Sequence, residues 1–340
     1  MAPKVVVTGA NGHVGAALTR ELLSHGYRVV ATVRDKSDEC KTAPIRSIAT
    51  ELGASERLTI ESADLMANPD WSSILRGVDG LFAVAAVYAT RSADPENEIV
   101  RPSTVGGINL LREAAKAKVP RVVYTSSVAA VGSLPEGRAK TEEDWNEDAT
   151  LPYTKAKTDS ERLAWRVAKE TGLDLRVVNP SMVWGPDFAR HTPSTEVAVK
   201  LLRGGYPAAP KSSFGVVDSR DVASLHRIVF ERDDAEGRYI CSGDHGSLVE
   251  IGRRFKESCP EAKPPKVTVP WIVVHAFALI DEIKAFFGFE GTLRQKVVRS
   301  LKRGDAWMDT SKARGLGWTP LPFETTVRDT VDWINAHNDL

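Results

Sequence analysis

Residues 5–15 read Val5-Val6-Val7-Thr8-Gly9-Ala10-Asn11-Gly12-His13-Val14-Gly15. A short β-branched run, three glycines spaced by three, and a helical pattern over 13–24 predict a strand, a tight turn and a helix. Gly9 permits the turn. Gly12 lets the backbone approach a pyrophosphate, and Gly15 lets the helix pack closely on the strand. The unpaired N–H groups and positive dipole end of the helix would then face phosphate oxygens. Asn11, His13 and Val14 lie inside this loop and share the expectation. The expected ligand is a dinucleotide, and a purely structural glycine turn is the alternative.

Outward from this loop, apolar runs at 4–7, 27–33, 58–61, 78–86, 121–126 and 173–179 alternate with helical patterns at 43–52, 103–117 and 151–171. The runs are continuous rather than alternating, which indicates a parallel sheet covered on both faces. The expected fold is therefore α/β, a Rossmann-type doubly wound parallel sheet. After Asn179 the rhythm breaks, with prolines at 180, 186, 193, 207 and 210 marking loops. Helical patterns return at 219–231, 248–258, 272–287 and 323–336. This divides the chain into a dinucleotide-binding domain over 1–180 and a smaller substrate-binding region over 181–340. Within the latter, about 214–235 is expected to return to the sheet domain.

Composition narrows the function. The 340 residues carry 45 Lys+Arg against 45 Asp+Glu, which counts against a basic nucleic-acid surface. A hydrophobic content of 42% counts against disorder. Cys40, Cys241 and Cys259 are far apart and odd in number, with no metal or disulfide spacing, so a reducing cytoplasm is expected. The apolar run 5–7 is too short for a signal peptide. The run 267–279 holds Pro270 and His275 and stops at Asp281-Glu282, too short to span a bilayer, so a buried helix is expected there. His13, His191 and His275 form no metal set with a nearby carboxylate. Neither a metal, a nucleic acid nor a membrane is expected as partner, and the chain is read as a monomer or homodimer.

The second strand ends Ala31-Thr32-Val33-Arg34-Asp35-Lys36. An acid at its end would accept from a ribose 2′-hydroxyl, whereas an arginine suits a 2′-phosphate. Arg34 occupies that position with Lys36 and Lys41 close by, so NADP(H) is expected. NAD(H), with Asp35 on the ribose, is the alternative. Farther along, Tyr153-Thr154-Lys155-Ala156-Lys157 places a tyrosine and a lysine on one helical face. An ammonium beside a phenol lowers its pKa and makes it a usable acid or base near neutrality. Val123-Tyr124-Thr125-Ser126-Ser127 ends the preceding strand and supplies a serine to polarise a carbonyl.

Taken together, these segments and Asn179-Pro180-Ser181-Met182-Val183-Trp184-Gly185-Pro186 resemble the extended short-chain dehydrogenase/reductases. The segments 31–35, 179–186, 309–313 and 316–320 are most similar to the dihydroflavonol 4-reductase and cinnamoyl-CoA reductase branch. The resemblance implies Ser127 as the carbonyl-orienting serine (Ser126 the alternative), Tyr153 as the proton donor, and Lys157 on both the phenol and the nicotinamide ribose. It implies Asp64-Leu65 against adenine, Val84-Ala85-Ala86 beside the ribose and nicotinamide, and Pro180 and Val183 against the carboxamide. The family often carries an asparagine where Gly106 stands here, and Asn109 lies one turn on. Trp145-Asn146 is only a fragment of a cysteine-containing signature tied to CoA thioesters. Val128-Ala129 follow Ser127 where sugar dehydratases place an acidic pair.

The expected activity is therefore reversible NADPH-dependent reduction of a ketone or aldehyde. A 3β-hydroxysteroid dehydrogenase-like or nucleotide-sugar epimerase-like enzyme is the alternative. An alternative of another class is a catalytically silent cofactor-sensing regulator. Specificity is expected from residues 88–97 and 184–213, with Tyr88 and Trp184 as an aromatic wall of the pocket.

Overall fold

A computed structural model describes residues 2–67, 69–88, 92–133, 137–286, 295–302 and 307–337. Seven parallel strands form the central sheet: β1 (Lys4–Thr8), β2 (Arg28–Val33), β3 (Leu58–Ser62), β4 (Gly80–Ala83), β5 (Val122–Thr125), β6 (Leu175–Pro180) and β7 (Gly237–Cys241). Their spatial order is β7-β6-β5-β4-β1-β2-β3. The order reverses between β1 and β4, and open α/β sheets form their ligand crevice at such a reversal. Six of the seven strands coincide with the apolar runs of the sequence.

The pleat explains why those runs are apolar throughout. Val5 and Val7 point into one core, shared with helices His13–Ser24 and Ser219–Glu231. Val6 points into the other, shared with helices Gly107–Lys116 and Pro152–Thr171. All three valines are fully buried, and each side chain contributes roughly 1.5–3 kcal/mol. Gly80 marks one close approach, since a Cβ there would meet the Phe230 ring at 2.2 Å.

The second lobe holds a three-stranded sheet (Asp244–Ser247, Ser213–Asp218, Met182–Trp184) and helices Pro193–Arg203, Leu248–Ser258 and Phe323–Ala336 around one apolar cluster. Pro193, read as a loop marker, instead opens a helix. Thr192 caps it, accepting from the Thr195 N–H, and proline at the first helical position loses no bond. The return to the sheet domain expected over about 214–235 starts later and runs further: residues 213–218 pair in the smaller sheet, and helix Ser219–Glu231 and β7 lie on the central one.

Helix Trp271–Phe286 corrects the buried helix expected over 267–279. Ile272 is 78% exposed, and Phe277, Leu279 and Ile280 also face outward, while Val274 and Ala278 pack inward. An all-round apolar sequence carries no periodicity from which to tell which face is covered. Among the described residues, no helix is long and apolar enough to cross a membrane.

Candidate active site

The glycine loop turns at Gly9, whose φ of +65 favours glycine, and Gly12 N–H donates to Gly9 O at 2.9 Å. A Cβ on Gly15 would lie 2.2 Å from Gly9 O, so only glycine lets helix His13–Ser24 start this close to the turn. No side chain caps that helix. Its first N–H groups, those of His13 and Val14, are therefore left free at the crevice, a cradle suited to a pyrophosphate.

Neighbouring strand ends are locked to this loop. The Thr8 hydroxyl accepts from the Val84 and Ala85 N–H groups, both at 3.0 Å. A Cβ on Gly9 would come within 3.0 Å of Ala85 Cα. Ala86 follows at the surface. The His13 side chain turns away from the cradle, its Nε2–H donating to Pro186 O at 3.1 Å and its ring standing edge-on to Phe188. Burial lowers its pKa to about 4, so the imidazole is neutral. Asp64 and Leu65 follow β3, the Asp64 carboxylate accepting from the Met66 N–H.

Three cations stand beyond β2, and two are already paired. Lys36 Nζ lies 2.8 Å from Glu61, and Lys41 Nζ 2.7 Å from Asp38. Arg34 is exposed and makes no ion pair among the described residues. Asp35 accepts from both the Ser37 N–H and hydroxyl, which holds its carboxyl below the usual range.

At the other side of the crevice, helix Pro152–Thr171 brings Tyr153 and Lys157 to the ends of β5 and β6. The Ser127 hydroxyl neighbours that of Tyr153 and pulls its pKa down. Burial, and to a lesser degree Tyr88 and Tyr124, push the Tyr153 pKa above the ordinary phenol range, against the pull of Ser127. Tyr153 is thus a neutral hydroxyl with a proton to give. Ser127 caps the turn Val128–Val131 by accepting from Ala129 N–H, and its hydroxyl reaches Pro180 O at 3.5 Å. Ser126 is 3% exposed and its hydroxyl has no partner among the described residues. Lys157 Nζ donates to Thr125 O at 3.2 Å. Burial lowers its pKa to about 8, opposed by the Glu161 carboxylate. Pro180 is buried and Val183 half-buried beside this set.

The two aromatic expectations part company. Tyr88 is 39% exposed, its ring centroid 4.8 Å from that of Tyr153 and its hydroxyl 2.9 Å from Ser194 Oγ. Trp184 is a correction. It is fully buried in the second lobe against Phe255 and Phe323, with its indole N–H on Ser194 O. It packs a core and lines no opening. Of the expected specificity segment 88–97, residues 89–91 lie outside the described residues. A Cβ on Gly106 would meet Leu65 Cβ at 2.8 Å, so no asparagine fits there, and Asn109 is on the exposed face.

The family follows from comparison. The NAD-dependent epimerase/dehydratase family model matches residues 5–240. The chain belongs to this family. A cinnamoyl-CoA reductase of Medicago truncatula is 34% identical over 96% of this chain and 94% of its own length. A dihydroflavonol 4-reductase of Zea mays is 34% identical over 77% of this chain and 76% of its own length. The structure of Gre2 from Candida albicans in complex with NADPH superposes with a TM-score of 0.74. It is 26% identical and covers 98% of this chain and 99% of that one. This epimerase/dehydratase-family member, an extended short-chain dehydrogenase/reductase, is thus an NAD(P)-dependent oxidoreductase.

Sequence reasoning missed a buried layer behind the site. Asn179 Nδ2 donates to Ser127 O at 3.1 Å and to Glu161 Oε2 at 2.8 Å. Arg238 Nε, from β7, donates to Glu161 Oε1 at 2.6 Å. Glu161 sits four residues after Lys157 on one helical face, a spacing that pointed to it. Arg238 arrives from a distant strand with no sequence signal.

Proposed function

We propose that this protein is an NADPH-dependent carbonyl reductase, reversible as an alcohol dehydrogenase, acting on a small or aromatic ketone or aldehyde. The observation that carries this reading is the buried Tyr153 hydroxyl beside Ser127, with Lys157 one turn along and held on Thr125 O, next to a glycine cradle. When bound, the reduced nicotinamide supplies the hydride to the carbonyl carbon. Ser127 donates to the carbonyl oxygen and orients it. Tyr153 then delivers its proton to the developing alkoxide. Lys157 stabilises the phenolate that this leaves.

The cofactor preference is supported by Arg34. A guanidinium without a partner among the described residues is available for bidentate contact with a 2′-phosphate. One oxygen of the Asp35 carboxylate is already taken up by the Ser37 N–H and hydroxyl. The Gre2 structure, bound to NADPH, points the same way.

The family match also supports nucleotide-sugar epimerisation by the same three residues. A panel of ketones and aldehydes with NADPH or NADH, beside nucleotide sugars, separates the two. Carbonyl-dependent NADPH oxidation is expected. Tyr153→Phe should lower turnover by about 10²-fold or more while NADPH affinity stays within about threefold. Full turnover by Tyr153→Phe, or sugar interconversion without net cofactor oxidation, would refute this reading.

A further inference from the structure

Behind the proton-donor set lies a carboxylate that this mechanism does not use. Glu161 is fully buried. A buried carboxylate needs charge and hydrogen-bond partners, or it takes up a proton. Glu161 has Arg238 Nε at 2.6 Å, the Asn179 amide at 2.8 Å and the Trp165 indole N–H at 3.4 Å. Arg238 is itself fixed from outside. It donates to the carbonyls of Glu142 and Asp144, and its guanidinium lies 4.0 Å from the Trp145 ring centroid.

The arrangement exceeds what an ion pair requires. One Asn179 NH2 group bridges Glu161 and the Ser127 carbonyl, and Asn179 Oδ1 has no partner among the described residues. Flipping the amide would set Oδ1 against two acceptors, so the carboxylate dictates its orientation. Glu161 is also the charge that opposes the desolvation of Lys157.

We propose that Glu161 is a positioning residue of the active site. Held by Arg238, it fixes Ser127 through Asn179 and serves as the counter-charge behind the Lys157 ammonium. This rests on reading Tyr153, Ser127 and Lys157 as the proton-transfer set. The ionisable groups facing this cluster are Lys157 and Tyr153 on the same helix, Arg238 from β7, Tyr124 from β5, and Tyr88 beside Tyr153.

The test separates charge from tether. Lys157 is titrated directly by 15N NMR of its Nζ in lysine-labelled protein, the signal assigned by its loss in Lys157→Met. In Glu161→Gln the midpoint should fall by about one pH unit or more, the usual effect of a neighbouring opposite charge. The high-pH limb of kcat for carbonyl reduction should move down with it. Asn179→Ala keeps the charge, so the limb stays and kcat falls about tenfold or more, with KM for NADPH unchanged. If Glu161→Gln does not fold, Glu161→Gln/Arg238→Met removes the pair together, and a smaller fall is expected because a repelling cation leaves with the carboxylate. A Lys157 midpoint equal to wild type in either folded variant, or wild-type kcat in Asn179→Ala, overturns the proposal. A purely structural Glu161 would lower the melting temperature and leave the midpoint in place. The titration needs no turnover. If Tyr153→Phe kept full activity, the carbonyl-reductase reading would fail while the Lys157 measurement still decided this one.

Discussion

Gly15→Ala places one methyl group where backbone already lies. Its Cβ would stand 2.2 Å from Gly9 O and 2.9 Å from Ala10 Cα, about 1.2 Å short of ordinary contact with the carbonyl. No flexible side chain can yield, because the obstructing atoms are backbone. Relief requires helix His13–Ser24 to move away from the turn by on the order of an ångström. That helix is held on its far side by helix Ser219–Glu231 and by the Arg227–Glu21 and Arg20–Asp187 ion pairs. Overpacking of this kind costs about 1–3 kcal/mol, and a rigid obstruction belongs at the upper end. The same displacement moves the cradle N–H groups off the phosphates, so NADPH affinity should fall at least tenfold, or about 1.4 kcal/mol. Urea unfolding and NADPH fluorescence titration measure the two effects. Gly107→Ala, whose Cβ would meet nothing within 4 Å inside a helix, is the control and should be neutral or slightly stabilising. A Gly15→Ala protein with wild-type stability and affinity would refute the close-packing argument.

Arg34→Ala should weaken NADPH by about 1.5–3 kcal/mol and leave NADH nearly unchanged; equal losses in parallel titrations would remove Arg34 from the phosphate. His226 donates from Nδ1 to Val222 O and accepts at Nε2 from the Thr125 hydroxyl, both at 2.7 Å, and burial lowers its pKa from 6.5 to about 4. The unfolded chain therefore binds a proton that the native state refuses between pH 6.5 and 4, and stability falls as pH drops through that window. Asp221, raised to about 7 by burial, acts in the opposite sense. The effect is therefore read as a difference: urea unfolding at pH 7 and pH 5 should show a shallower decline in His226→Gln than in wild type. Trp184→Ala should destabilise by about 3–5 kcal/mol without altering which carbonyls are accepted, and a changed substrate panel would return it to the pocket.

The parts of the fold and site that the sequence revealed are those whose cause is local. Three valines before a glycine turn read as a buried strand because parallel strands are covered on both faces. Tyr153 and Lys157 read as a pair because helical spacing alone brings them together. Gly237-Arg238-Tyr239-Ile240-Cys241 hid as a strand because it opens with a glycine and carries a buried charge. That charge is tolerable only because Glu161, 77 residues earlier, awaits it. Trp184 misled for the same reason. Its neighbours Phe255 and Phe323 are set by tertiary packing, so adjacency to Val183 in sequence said nothing about the direction of its ring. Gly106 was legible as a departure, but its cause, the Leu65 side chain, belongs to another strand's loop.

The edge strand β7 and helix Ser219–Glu231 also bear on the order in which the molecule can assemble. The helix covers one face of the sheet and β7 closes its edge, yet both follow β6 only after the chain has passed through Met182–Trp184, Pro193–Arg203 and Ser213–Asp218. On a ribosome, a nascent chain ending near residue 200 holds the glycine loop, Ser127, Tyr153 and Lys157. Its β6 edge has no neighbour and the Glu161 carboxylate has no guanidinium. Such an unpaired parallel edge is a hazard for association with other chains. Closure waits on contacts of high sequence separation, which form slowly. The first half of the polypeptide carries nearly all the chemistry, but it becomes a protected structure only when residues synthesised much later come back to seal it.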